Sequence, residues 1–238
     1  RKQTAGPSAE TMTFTEHLEE LRSRILKCLA ALLAGAVISF WQIDRIVALL
    51  TMPVSQLFVM KPAEAFMIYV KLALWSGAIL VSPILAWQFW AFLLPAFTSL
   101  EKKILGLFVP ASVVLFLAGI VFSFTLVLPR GLDFLRSFAS GSVQPLWSLE
   151  SYLDFVILMV VPFGFFFNLP LILLPLAQMG LVDSVKLRRA RRYVIVLSFI
   201  VAAVITPTTD MVSQTLLAVP IIVLYEVSLL IIRVVLKK

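Results

Sequence analysis

Charge is what this chain is short of. Of its 238 residues only 14% are Asp, Glu, Lys or Arg, while 61% are hydrophobic. A soluble domain carries about 25% charged residues, so this composition does not clothe a water-facing surface. The solvent is lipid. A single cysteine, Cys28, excludes an internal disulfide, and a single histidine, His17, excludes a histidine-rich metal centre. The sequence has no G-x-x-x-x-G-K-[ST] phosphate loop and no H-E-x-x-H pair. It also has no serine–histidine pair at membrane depth, because His17 precedes the first apolar run. Nucleotide hydrolysis of that type and intramembrane proteolysis are argued against, and neither metal nor cofactor is expected.

The net charge is +7. Basic runs interleaved with exposed aromatics would point to nucleic acid. None is present, so the basic residues are read as facing anionic lipid and setting orientation. Residues 1–12 are polar and carry no apolar h-region, so they read as a flexible tail and not as a signal peptide.

What is present is long apolar runs. Crossing the hydrocarbon layer takes about 20 mostly apolar residues, and six stretches approach that length: Ile25–Ile43, Val70–Leu94, Ile104–Leu128, Tyr152–Gln178, Tyr193–Thr206 and Ser213–Ile232. The expected fold is an all-α membrane protein of six spans, a single polytopic domain over 1–238. The last two spans are expected to be short, fitting a thinned bilayer or a pair that does not fully cross.

Orientation follows from the basic residues. Arg1, Lys2, Arg22, Arg24, Lys27, Lys102, Lys103, Lys186, Arg188, Arg189, Arg191, Arg192, Arg233, Lys237 and Lys238 fall on one side, fifteen in all. The alternate loops hold five: Arg45, Lys61, Lys71, Arg130 and Arg136. Both termini are therefore expected in the cytoplasm, or in the stroma of a thylakoid. The outside loops 44–69 and 129–151 carry Leu57, Phe58, Phe66, Leu146 and Trp147, and are expected to fold into a cap. No transporter-type internal repeat is visible. Pro83, Pro110, Pro162, Pro170, Pro175 and Pro220 lie inside spans. Each removes a backbone donor and bends its helix, so the spans are expected to form a concave, curved wall.

Polar residues stand out against this background. Thr13 and Glu16 fit a capping box opening an amphipathic interface helix over 13–24, with Phe14, Leu18, Leu21 and Ile25 at helical spacing. Glu20 and Arg24 are four apart, which reads either as a surface ion pair or as an acid awaiting a basic ligand. Glu101 stands beside Lys102 and Lys103, where it caps a helix or binds a cation. Asn168 and Glu226 lie within spans, where an ionisable group is a functional candidate. Asp154 is near enough to an interface to be merely solvated.

Taken together, a series of segments resembles the TatC family, the receptor subunit of the twin-arginine protein translocase. They are His17-Leu-Glu-Glu20-Leu-Arg22-Ser-Arg24, Met52-Pro53, Ser82-Pro83, Gln88, Trp90-Ala-Phe92, Leu94-Pro95 and Glu101-Lys-Lys103, then Phe167-Asn168-Leu-Pro170, Arg192-Tyr193, Thr206-Pro207, Asp210, Ser213-Gln214 and Leu224-Tyr225-Glu226. The match runs nearly the whole chain. The stretches Thr206–Asp210 and Leu146–Glu150 look like the cyanobacterial or plastid branch.

The resemblance implies a non-enzymatic receptor that binds twin-arginine signal peptides of folded cargo, with transport energised by the proton-motive force. It implies single-span TatA-like and TatB-like partners at the fifth and sixth helices, and a homo-oligomer in the receptor complex. It places signal binding on Glu20 and Glu101, with Leu21, Arg22, Phe92 and Lys102 beside them. It gives Pro53, Pro83, Gln88, Asp210 and Gln214 structural or partner roles. Two arginines ask for two acids, since a guanidinium pairs bidentately with carboxylate as an ammonium does not. Most relatives carry glutamate where this chain has Asn168, so a polar patch is expected there without a charge. The rival reading is a proton-coupled transporter of a small solute, with Glu226 and Asn168 lining one midplane site.

Overall fold

The computed structural model describes residues 14–54, 56–93, 102–137, 146–178, 180, 182–206 and 211–236. Among these the chain is nearly all helix. In order come α1 (Phe14–Trp41), α2 (Ile43–Thr51), the two-residue strand β1 (Leu57–Phe58), α3 (Glu64–Leu80) and α4 (Ser82–Leu93). There follow α5 (Lys102–Phe122), a π-helical turn (Ser123–Val127), α6 (Leu128–Ser137) and the strand β2 (Trp147–Ser148). The chain then continues through α7 (Leu149–Phe167), α8 (Leu169–Gln178), α9 (Ser184–Ile205) and α10 (Met211–Leu236).

Four stretches are long and apolar enough to cross a membrane: Leu18–Trp41, Gly106–Ser137, Leu149–Gln178 and Met211–Val234. A fifth, Glu64–Leu80 with Ser82–Phe92, is bent by 60°. The bend falls at Val81, where Pro83 has no N–H to continue the ladder and its ring crowds the preceding turn. The same arrangement recurs at Asn168, with Pro170 the second residue of α8. Pro110, Pro162, Pro175 and Pro220 by contrast stay inside their helices.

Two boundaries differ from the sequence expectation. Among the described residues the expected interface stretch and the first apolar run form one helix, α1, continuous over 28 residues, while Thr13 of the expected capping box lies outside the described residues. α10 runs for 26 residues and is not short. Counting only apolar residues truncates such helices. In α10 the apolar run resumes past Arg233, whose long side chain reaches the interface while its stem stays in the apolar layer.

Small residues and a central helix hold the bundle together. A Cβ added to Gly77 on α3 would sit 2.5 Å from the Ala36 nitrogen of α1, so these helices touch backbone to backbone. α7 is the most buried element, with Tyr152, Leu153, Val156, Met159 and Phe163 at most 2% exposed. In the π-helical turn, Ser123 donates its hydroxyl to the Met159 carbonyl of α7 at 2.6 Å.

The loops at the far end of α1 fold into a cap. β1 pairs in parallel with β2, setting Leu57 against Trp147 and Phe58 against Ser148. Glu64, buried beneath them, accepts the backbone N–H groups of Met60 (2.6 Å) and Lys61 (3.1 Å) on one oxygen and that of Glu150 (2.9 Å) on the other. Tyr152 donates to the Leu50 carbonyl at 2.7 Å, and Arg136 to the Pro53 carbonyl at 2.8 Å.

Candidate functional site

The first turns of α1 carry an acid and a base on one face. Glu20 and Arg24 are one turn apart, and Arg24 Nε donates to Glu20 Oε1 at 2.9 Å. The bend at Val81 brings α4 to the same place, where Arg24 Nη1 donates to Gln88 Oε1 at 3.1 Å. One guanidinium thus ties the mouth of α1 to α4. Both interpretations of Glu20 meet here, since the ion pair forms but occupies a single carboxylate oxygen. Glu20 Oε2 is buried and has no hydrogen-bond partner among the described residues.

A buried carboxylate oxygen without a donor is costly, by an amount comparable to a lost charged hydrogen bond of about 1.5–3 kcal/mol. The oxygen is therefore a ready acceptor. Beside it opens a shallow depression of about 450 Å³ lined by Glu19, Glu20, Ser23, Arg24 and Lys27. Glu101 and Asp210 lie outside the described residues. Lys102 is the first residue of α5, Leu21 is half-buried, Arg22 is exposed, and Phe92 is half-buried at the end of α4.

Polar groups continue from this patch along the bundle. Lys71, Trp75, Ala78 and Ser82 share one face of α3 and its bend, since they recur at three or four residues. Between them and α7 lies a largely apolar cavity of about 290 Å³, lined by Trp75, Phe89, Trp90, Phe116, Phe165 and Asn168 among others. Asn168 caps α7 rather than sitting within an unbroken helix. Its Nδ2 donates to the Gly164 carbonyl at 3.0 Å, while its Oδ1 and the Ser82 hydroxyl are buried and have no partner among the described residues. At the cap end of this face Lys71 Nζ meets both Asp154 oxygens, at 2.6 and 2.9 Å. Asp154 is therefore paired, and not simply solvated as its position in the sequence implied.

The remaining sequence candidates stitch the last two helices. Glu226 on α10 takes Arg191 of α9 at 2.6 Å. It does not line the cavity that Asn168 lines, so the shared midplane site required of a small-solute transporter is not formed. Gln214 donates to the Phe199 carbonyl at 2.8 Å, joining α10 to α9. Pro53 supplies the carbonyl held by Arg136. Asp183 caps α9 by accepting the Lys186 N–H at 2.6 Å, and that bond holds its carboxyl below the usual aspartate range. Among the described residues no three His, Cys, Asp or Glu gather as a metal site.

A family model described as Sec-independent protein translocase protein (TatC) matches residues 16–220. The chain belongs to the TatC family. It is 36% identical over 224 residues to the Sec-independent protein translocase protein TatC of Carboxydothermus hydrogenoformans, covering 92% of each chain. It is 37% identical to the chloroplastic protein TATC of Pisum sativum, over 92% of this chain and 63% of that longer one. Its fold superposes on a crystal structure of the twin-arginine translocase receptor TatC with a TM-score of 0.85 at 34% identity, covering 91% of this chain and 99% of the other. The chain is thus a multi-pass membrane protein of the Sec-independent translocation machinery.

Proposed function

We propose that this chain binds twin-arginine signal peptides at the start of α1 and nucleates transport of folded proteins, driven by the proton-motive force. The observation that carries the reading is the unpartnered Oε2 of Glu20 beside an open polar depression. Arg24, itself anchored on Gln88, holds Glu20 Oε1, which leaves the second oxygen for a guanidinium of the ligand. Glu101 supplies the second acid, with Leu21, Arg22, Phe92 and Lys102 around the peptide.

In this reading α9 completes six crossings, and both termini face the cytoplasm or stroma, on the side holding fifteen of the twenty basic residues. The cap of β1, β2, α2 and α6 then faces outward. Single-span TatA-like and TatB-like subunits dock along α9 and α10, and further copies of the chain assemble with it. The membrane is a bacterial inner membrane or a thylakoid.

The test is binding of a fluorescent signal peptide to the purified protein. A peptide with its arginine pair intact should bind, and one with both arginines changed to lysine should bind at least tenfold more weakly. Equal affinities for the two peptides would remove the receptor reading.

A further inference from the structure

A second groove, separate from the polar face, lies between the π-helical turn and the first half of α10. It encloses about 530 Å³ and is lined by apolar side chains including Phe122, Leu126, Val127, Leu216 and Val219, with Arg130 as its charged residue. Arg130 is exposed in the first turn of α6. Among the described residues no carboxylate or carbonyl engages its guanidinium, whereas nearby Arg136 is held by Asp133 and the Pro53 carbonyl. An arginine at the end of an apolar groove in a membrane protein calls for an anion.

The length of the groove selects the occupant. From Phe122 to Arg130 is eight helical residues, or about 12 Å at 1.5 Å per residue. That is close to one leaflet of a hydrocarbon core about 30 Å thick and far short of what a spanning partner helix covers. The π-helical turn contributes Leu126 and Val127 to one wall. Such turns are uncommon and concentrate at functional positions.

We propose that this groove is a site for one anionic phospholipid, its phosphate on Arg130 and one acyl chain laid between the π-helical turn and α10. The site is independent of the signal-peptide reading. It would fix a single lipid of the cap-side leaflet against α10, the helix that also carries Gln214 and Glu226.

Native mass spectrometry of the detergent-purified full chain tests this, after incubation with phosphatidylglycerol and phosphatidylcholine of matched acyl chains. One phosphatidylglycerol should be retained in excess over phosphatidylcholine. Arg130→Gln should reduce that excess about fivefold, the ratio expected for one basic residue at an anionic headgroup. Val219→Trp, at a position 46% exposed, should block the groove and lower retention of both lipids. Arg45→Gln, elsewhere on the cap side, should change neither. An unchanged phosphatidylglycerol excess in Arg130→Gln, or full retention in Val219→Trp, overturns the proposal.

Discussion

The side chain of Glu64 and the backbone N–H of Glu150 are 2.9 Å apart, and this one bond joins the start of α3 to the start of α7. The same carboxylate also gathers Met60 and Lys61, so two N–H groups of the loop before α3 and one in the first turn of α7 depend on one charge. Glu64→Ala should strand all three. The expected loss is at least about 1.5–3 kcal/mol, the range for a hydrogen bond to a charged group. A thermal melt in detergent checks it: a clearly lowered Tm is expected, with the cap more readily cleaved by protease. A wild-type melt would show that the strand pairing holds the cap alone.

Gly77 offers a second check on the packing. Its Cβ would have to displace the α1 backbone, whereas one added at Gly106 meets nothing within 4 Å. Gly77→Ala should therefore lower the yield and Tm of the folded protein, and Gly106→Ala should leave both unchanged. Equal behaviour of the two variants would contradict the close approach of α1 and α3.

Lys71 and Asp154 form a charge pair whose side chains are 44% and 35% exposed. Breaking a pair strands a charge, whereas exchanging both members restores neutrality. Asp154→Asn and Lys71→Met should each reduce the folded yield more than the exchange Lys71→Asp with Asp154→Lys. Yields measured by fluorescence-detected size-exclusion chromatography decide this, and an exchange variant no better than either single change would show that the pair does not matter.

Much of this architecture is legible in the sequence, and the illegible parts share a cause. The apolar runs mark the spans because lipid demands about 20 residues of them, and helices break two residues ahead of Pro83 and Pro170, next to where the ladder loses a donor. Glu64 carried no such signal. It resembles an ordinary loop acid near Lys61, and its most distant donor is 86 residues away. Lys71 and Asp154 are 83 residues apart and read singly as an isolated base and a solvated acid. Glu20 with Arg24 was visible as a one-turn pair, but the grip of Gln88 on Arg24 spans 64 residues. Local periodicity reports helices; it does not report which faces meet. The π-helical turn was equally silent, since its sequence Ser123–Val127 holds neither proline nor glycine to mark a change of helix.

Asn168 separates recognition from transport. Its amide lines the mid-bundle cavity with its oxygen unpartnered among the described residues, well apart in the chain from the Glu20 patch. Asn168→Leu should leave signal-peptide affinity unchanged while reducing export of a folded cargo. Asn168→Gln should be mild and Asn168→Glu tolerated. Binding and export measured on the same membranes check it. Full export by the leucine variant would mean the residue only bonds within the bundle, a contact of about 0.6 kcal/mol on average.

Signal recognition at the start of α1 requires Glu20 Oε2 to receive a ligand arginine, and a double-mutant cycle tests that contact directly. Affinities would be measured for wild-type and Glu20→Gln protein, each with the native signal peptide and with peptides in which one arginine is replaced by glutamine. For one of the two arginines, the loss from replacing it should largely disappear in the Glu20→Gln protein, a coupling of about 1.5–3 kcal/mol for a charged hydrogen bond. Losses that simply add for both arginines would contradict the contact and, with it, the placement of the signal site at the start of α1.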